Sequence, residues 1–560
     1  MAKPFSAIQR SVYLEKMSSK ELDLLVVGGG ITGSGIALDA SVRGMSTGLV
    51  EMQDFAAGTS SRSTKLVHGG LRYLKQMEFK LVAEVGKERA IVYENAPHVT
   101  SPEWMLLPII KGGTFGKTAT SLGLKVYDTL AGVKRNERRY MLNRKETLQK
   151  EPLLKKEGLK GGGIYVEYKT DDARLTLEIL KEAVHRGTLT TNYTKAESLV
   201  YENGKVVGVN VRDLLSNKVY EIRAKKVVNA AGPWVDELRE KDRSKQGKTL
   251  YLTKGVHLVI DQSRFPLKQA VYFDTVDGDR MVFAIPRDGK TYIGTTDTHY
   301  KADIASPRMT QADLDYILQA ANDMFPSLNL TEDDVESSWA GLRPLIHEEG
   351  KSASEISRKD EIFTSESGLL SIAGGKLTGY RKMAERIVDI VANDLGVKKK
   401  KCETANVVLS GGDVGGSAKL EEFIKAMTKQ GVKLGLTEFE ANKLTKLYGS
   451  NVTRVYEIIE TTGLEAEQYG LPQSVYAPLI YGIEEEMVAT PLDYFNRRTG
   501  ALFFNIDWVK EHKKAVIDYM KNRFKWSIEE RQSHEKVLDV EIQYCMYPKE
   551  KVEKDMKVLV

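Results

Sequence analysis

Asp23-Leu-Leu-Val-Val-Gly-Gly-Gly-Ile-Thr-Gly-Ser-Gly-Ile-Ala-Leu-Asp-Ala-Ser-Val-Arg-Gly44 decides how this chain folds. The apolar run ending at Val27 is short enough for a buried strand, and the segment beyond the glycines reads as a helix that stops at Gly44, where a left-handed cap costs least. Between them Gly28, Gly30 and Gly33 fit G-x-G-x-x-G. The first lets the chain turn sharply, the second lets the backbone approach a pyrophosphate, and the third lets helix and strand pack closely. The phosphates would rest on the helix N-terminus, whose unpaired N–H groups and positive dipole end favour an anion. Working outward, a second strand, Thr47–Val50, ends in Glu51, about where a carboxylate meets ribose hydroxyls and repels a 2′-phosphate. The stretch predicts a dinucleotide such as FAD or NAD, and not NADP.

The chain has 560 residues, 41% hydrophobic and 28% charged, an ordinary globular composition that accommodates several domains and excludes extensive disorder. A formal net charge of +5 is too small for a nucleic-acid-binding role, and the basic run Lys398–Lys401 reads as a solvated linker. Cys402 and Cys545 lie far apart with no CxxC and no His neighbour, so neither a disulfide framework nor a metal site is expected. The first twenty residues lack the apolar core of a signal peptide, and no window is long and apolar enough to span a bilayer.

Past Glu51 the stretch Ala57-Gly-Thr-Ser-Ser-Arg-Ser-Thr-Lys-Leu-Val-His-Gly-Gly-Leu-Arg-Tyr73 is rich in hydroxyls, glycines and cations and reads as a ligand cradle. A helix is expected from Glu78 to Asn95. From Pro97 to Gly132 apolar residues, among them Trp104, Leu106, Leu107, Ile109, Ile110, Phe115 and Leu122, alternate with Lys111, Lys117 and Lys125. Two readings stay open there: a core segment of a second lobe, or an interfacial surface that touches a membrane through Trp104 and Phe115. Thr170–Arg186 is helical in pattern. Strands are expected at 196–201, 206–211, 219–222 and 226–229, then at 251–260, 270–273, 281–285 and 292–294, which suggests a mixed or antiparallel second sheet. Thr310–Phe325 is a helix, and Trp339-Ala-Gly-Leu-Arg-Pro-Leu345 reads as a turn-rich cationic stretch. A second strand, turn and helix unit then appears at Leu369-Leu-Ser-Ile-Ala-Gly-Gly-Lys-Leu-Thr-Gly-Tyr-Arg381, continuing to about Leu395. Two such units suggest that the chain returns to its first sheet to complete one site. Residues 403–560 read as mostly helical, with a capping-box pattern at Thr437 and Glu440.

With both glycine units in view, the chain resembles the FAD-dependent glycerol-3-phosphate dehydrogenases. The likeness is carried by Val27–Gly44, by Gly374-Gly-Lys-x-x-Gly-Tyr-Arg-x-x-Ala384, and by Ser60–Tyr73, Asn229–Trp234, Gly294–Asp297 and Gly341–Leu345 in the family's order. It covers about residues 21–395, more weakly Asp493–Phe504, and leaves the first twenty residues outside. The fold it implies is α/β: a glutathione-reductase-like FAD-binding Rossmann domain over 21–96, 170–245 and 346–397, a mixed-sheet substrate-binding lobe over 97–169 and 246–345, and an all-α C-terminal domain over 403–560. It implies non-covalent FAD, since neither cysteine falls in a glycine unit, held by Gly28, Gly30, Gly33, Glu51, Ser61, Ser63, Lys65, His68, Gly232, Gly375 and Thr378. It also implies oxidation of sn-glycerol 3-phosphate to dihydroxyacetone phosphate with electrons passing to a membrane quinone, in a cytoplasmic protein bound peripherally to the inner face of the cell membrane. A homodimer is compatible with this.

Oxidising a secondary alcohol requires a hydride acceptor, a base for the hydroxyl proton and a grip on the substrate. By resemblance Arg72, Arg343 and Arg358 face the substrate with Tyr73, and arginine's planar fork suits a phosphate. Lys376 is expected at the start of a helix, where a cation opposes the dipole and calls for a functional reason. For the base, His257 sits among apolar neighbours in a strand, where burial favours neutral imidazole. His68, in the cradle, is the second candidate and more plausibly meets the flavin. Three alternatives share parts of this pattern: a glycerol-3-phosphate oxidase using O2, an FAD amine oxidase of the glycine or sarcosine type, and a flavin-binding regulator without turnover.

Overall fold

An apolar run without polar alternation suits a strand covered on both faces, and Leu22–Val27 is such a strand. In the computed structural model, which describes residues 5–67, 79–113, 123, 124, 126, 137–275, 278, 280–348, 359–397 and 401–558, it lies inside a sheet. The strand order is Glu361–Thr364, Leu370–Ala373, Val219–Asn229, Leu22–Val27, Thr47–Val50, Leu189–Thr191. Both neighbours run parallel to it, with Val26 opposite Val228 on one side and Leu49 on the other. Leu24 and Val26 point into a core shared with helices Ile31–Val42, Asp172–His185 and Tyr380–Asp394. Leu25 and Val27 point the other way, toward Val209, Val211, Leu14 and Met17. The N-terminal helix Arg10–Ser18, which carries none of the sequence motifs, is thus part of this layer.

The second glycine unit returns to the same sheet, where Leu370–Ala373 joins Val219–Asn229 in parallel with Val228 opposite Leu370. Both glycine turns therefore leave the sheet at its carboxyl edge, the position where open parallel sheets bind ligands.

The second sheet is mixed. Lys248–Asp261 pairs antiparallel with Val335–Glu348 and with Lys290–Gly294, while Ala270–Asp274 runs parallel to Thr100–Ile110. Two sequence expectations change here. Trp339–Leu345 is the interior of the strand Val335–Glu348, not a turn. Gly341, which suggested a turn, marks a close approach instead: a Cβ there would lie 2.2 Å from the Arg62 carbonyl oxygen. Within Pro97–Gly132, Thr100–Ile110 is a strand held between Leu159–Thr170 and Ala270–Asp274, with Met105, Leu106, Leu107 and Ile109 buried. The core reading holds for Met105–Ile109; Trp104 is the strand's one exposed residue, packed on Tyr140. Phe115, Lys117, Leu122 and Lys125 lie outside the described residues.

Helices fill the C-terminal region, and the capping box at Thr437 and Glu440 is present. A buried ionic cluster docks this region on the first layer: Arg174 and Lys181 of helix Asp172–His185 both meet Glu486, at 2.6 and 3.0 Å. No helix among the described residues is long and apolar enough to cross a membrane.

Because Leu106 is fully buried and Trp104 is 36% exposed, Leu106→Ala should lower the unfolding free energy by about 2–5 kcal/mol. Trp104→Ala should cost about 1 kcal/mol or less. Urea titration of both variants checks this, and equal losses would contradict the placement.

Candidate active site

The two glycine turns open on one cavity of about 640 Å³ that runs between the sheets. At one end a Cβ on Gly33 would lie 1.9 Å from the Gly28 oxygen, so helix and strand touch backbone to backbone. Gly28 itself has φ 116°, a left-handed value that favours glycine. The helix beyond starts at an N-cap, Gly30, that offers no side-chain cap, and Gly30, Ile31 and Thr32 line the cavity. Ser60 Oγ accepts the Ile31 N–H at 2.9 Å, and a helix N-terminus facing a cavity is ready for an anion.

Glu51 stands beside it, its Oε2 accepting from the Gly29 N–H at 2.7 Å and its Oε1 from the Gln53 N–H at 2.8 Å. Burial holds this carboxyl above its ordinary range, against the pull of those two donors. Across the cavity Gly374 and Gly375 take φ of 77° and 80°, and a Cβ on either would strike the Lys359 oxygen at 2.5 Å or Met383 Sδ at 2.6 Å. Gly232, Lys376 and Thr378 line the same wall. Lys376 is extended and precedes a short 3₁₀ turn, Leu377–Gly379, with the α-helix beginning only at Tyr380. It therefore stands ahead of the helix rather than in its first turn, and the expected conflict with the dipole is relieved. Two glycine turns, an anion-ready helix end and a carboxylate on one elongated cavity fit a flavin dinucleotide.

At the substrate-lobe end, His257 lies opposite Gly294 and Trp339 on neighbouring strands. Gly294 leaves room for the imidazole, since a Cβ there would sit 2.1 Å from its Cδ2. The ring stacks on Trp339 at 4.7 Å, and that indole N–H donates to the Ser63 carbonyl at 3.1 Å. His257 Nε2 lies 3.1 Å from Thr64 Oγ1, while buried Nδ1 meets no hydrogen-bond partner among the described residues. Burial, then the cations of Arg343 and Lys65, hold its pKa well below the ordinary histidine value.

Arg343 donates to the Thr296 carbonyl, to Asp297 Oδ1 and to Thr295 Oγ1, each at 3.1 Å. Gly255 makes space for it, as a Cβ there would be 2.6 Å from Nη2. Thr295, Thr296 and Asp297, one of the segments of the family likeness, thus orient this guanidinium.

The cradle divides into a lining and a support. Ser63 and Thr64 line the cavity, whereas Gly33, Ser61 and Lys65 lie behind it. Lys65, expected at the cofactor, is instead bound to Asp172 Oδ1 at 2.6 Å and to the Ser61 carbonyl at 3.0 Å, because a buried ammonium needs a carboxylate. Asp172 also accepts from Ser63 Oγ at 2.7 Å and from its N–H at 3.0 Å. Asp172 stands in the first turn of its helix, and nothing local in the sequence shows that it organises a loop more than a hundred residues earlier. Arg62, a cation of the cradle, also lines the cavity, and so does Arg280, which carried no sequence signal. His68, Arg72, Tyr73 and Arg358 lie outside the described residues. Among the described residues no group of side chains could hold a metal ion.

Fold and cavity define an FAD-dependent oxidoreductase, and the family described as FAD dependent oxidoreductase matches residues 23–381. The family described as the C-terminal domain of alpha-glycerophosphate oxidase matches residues 402–531. The aerobic glycerol-3-phosphate dehydrogenase of Bacillus subtilis (strain 168) is 62% identical, covering 98% of this chain and 99% of its own. The crystal structure of the glycerol-3-phosphate dehydrogenase from Bacillus halodurans complexed with FAD is 59% identical, with a TM-score of 0.86 over 97% of this chain and 99% of that one. The chain belongs to the aerobic glycerol-3-phosphate dehydrogenase family. Glycine oxidase from Bacillus cereus, 22% identical with a TM-score of 0.51 over 67% of this chain and 98% of that one, shares the fold alone.

The histidines carry a pH signature. His257, and also buried His98, ionise below the ordinary histidine value in the folded chain. The unfolded chain, with ordinary values near 6.5, binds those protons more readily, so their contribution to stability is complete above about pH 6.5 and is lost as pH falls below it. The melting temperature should therefore drop between about pH 7 and 5, with a shallower drop for His257→Asn. A wild-type melting temperature that stays level or rises over that range would contradict the neutral assignment.

Proposed function

We propose that this cavity oxidises sn-glycerol 3-phosphate to dihydroxyacetone phosphate and that the electrons pass to a quinone in the membrane. The observation that carries the reading is the pairing of a buried, neutral His257 with Arg343 and Lys376 around the same cavity as the two glycine turns. Converting the alcohol to a ketone removes a hydride from carbon and a proton from oxygen. FAD, when bound, supplies the hydride acceptor. The protein must then bind and orient the substrate, take up the proton and keep water away.

His257 is the proton acceptor in this reading. A neutral imidazole has one nitrogen with a lone pair, and Thr64, whose hydroxyl can donate or accept, suits either tautomer. Burial, and then the nearby cations, make it a weak base, and a phosphate dianion would offset the cations and raise its proton affinity. Arg343, oriented by its three acceptors, and Lys376 hold that phosphate, with Arg72, Arg358 and Tyr73 assigned to the same end by family likeness. At the other end Gly28, Gly30, Glu51, Ser63, Gly232, Gly375 and Thr378 face the cofactor, Gly33, Ser61 and Lys65 support that wall, and His68 is assigned to the flavin by family likeness. A quinone is confined to lipid, so the protein must reach a membrane surface. Strand Thr100–Ile110 is core apart from Trp104, which stays exposed beside the exposed Tyr140 and is available for that contact.

Replacement of Arg343 by Ala should raise KM for glycerol 3-phosphate by about 30-fold, or about 2 kcal/mol, the lower end for a charge that retains some solvent. Oxidation of glycerol itself should barely change. Equal losses on both substrates, or stoichiometric peroxide formation in air with no transfer to a quinone, would overturn this reading.

A further inference from the structure

Asp54 lies in the loop beyond Glu51, and the loop is fixed from outside the cavity. The Gln53 N–H holds Glu51 Oε1, and the Ala56 N–H donates to the Gly29 carbonyl at 3.0 Å, so the loop steadies both the carboxylate and the first glycine turn. Ala56 does this at φ 63°, a left-handed conformation that a residue with a Cβ holds only when its surroundings enforce it.

Two residues earlier, Asp54 is held by a buried ionic cluster. Asp54 Oδ1 accepts from Arg498 Nη2 at 2.9 Å and from Asn192 Nδ2 at 3.0 Å, and its Oδ2 accepts from Arg498 Nη1 at 2.7 Å and Arg497 Nε at 2.5 Å. Arg497 is in turn held by Asp493 at 3.0 Å and Arg498 by the Glu486 carbonyl at 2.7 Å. Both arginines belong to Asp493–Arg498, a π-helical turn of the C-terminal region, an uncommon geometry that recurs at functional sites. Two aspartates and two arginines, all buried, gain little net stability from one another compared with apolar packing, so a positional role is the better reason for them.

We infer that Arg497 and Arg498 are positioning residues for the cofactor. They clamp Asp54, the clamped loop presents Glu51 and the Gly29 turn, and through that loop the C-terminal region sets how tightly FAD is retained. Without them Asp54 would be a buried carboxylate with no counter-charge and only Asn192 as a donor, three residues from Glu51. The loop would relax to hydrate it, and the Gln53 N–H would leave the Glu51 oxygen. The inference rests on reading Glu51 as the acid that accepts from the ribose hydroxyls.

The test is a thermodynamic cycle on the full-length protein, reading the dissociation constant for FAD by flavin fluorescence. Glu51→Gln and Arg498→Met should each raise it by about tenfold or more. Because one acts through the other, the double variant should be little weaker than either single variant. KM for glycerol 3-phosphate at saturating FAD should stay within about twofold for Arg498→Met, a separation that general unfolding would not give. If Arg498→Met does not fold, Asp54→Asn, which keeps the side-chain volume and one acceptor oxygen, takes its place in the cycle. An unchanged constant in both Arg498→Met and Asp54→Asn, or losses that multiply in the double variant, would overturn the clamp. An unchanged constant in Glu51→Gln would instead remove the ribose reading of Glu51, and the clamp with it.

Discussion

The whole site depends on the absence of two side chains where helix Ile31–Val42 meets strand Leu22–Val27. With no Cβ on Gly33 the helix N-terminus comes against the Gly28 carbonyl, with none on Gly28 the Ala230 backbone closes on the turn, and the N-cap Gly30 faces the cavity. Every other element of the cofactor end is placed relative to that contact. Glu51 reaches back to the Gly29 N–H, the Asn229–Trp234 turn leaves the neighbouring strand, and the second glycine turn leaves the next. A helix held even an ångström further out would lose the geometry in which dipole, carboxylate and both turns converge.

The substrate end uses the same device with different atoms. Gly294, Gly255 and Gly341 lie in strands, where glycine weakens the ladder, and each is set against a group that needs the space: His257, Arg343 and the backbone of Arg62. Sheet stability is given up locally so that an imidazole, a guanidinium and a loop fit within one wall. The charges are managed in a similar way. Lys65 is neutralised from behind by Asp172, while Arg343 is oriented by Asp297 and still reaches the cavity.

Much of this was legible in the sequence where the physics is local. The strand, turn and helix around Gly28–Gly33 and its counterpart at Gly374–Gly375 could be read from apolar runs and glycine spacing, and so could the buried setting of His257. Family likeness, and not spacing, supplied the substrate and the identity of the arginines. The features that stayed hidden depend on contacts far apart in the chain. Gly341 and Pro344 look like turn residues until the strand Lys248–Asp261 is seen beside them. Leu106 and its neighbours look interfacial until Leu159–Thr170 and Ala270–Asp274 cover them. Nothing near Asp54 reveals that its partners are Arg497 and Arg498, and nothing near Lys65 reveals Asp172.

The central proposal is that a neutral histidine and an oriented arginine of this cavity act on a phosphorylated alcohol beside FAD. The most direct test is to follow the flavin absorbance under anaerobic conditions as glycerol 3-phosphate is added to the wild type and to His257→Asn. Glycerol 3-phosphate should bleach the wild type promptly, glycine and sarcosine at the same concentration should not, and bleaching should be slowed by about 10²- to 10⁴-fold in the variant. Bleaching by the amines, or the same rate in both proteins, would contradict these roles.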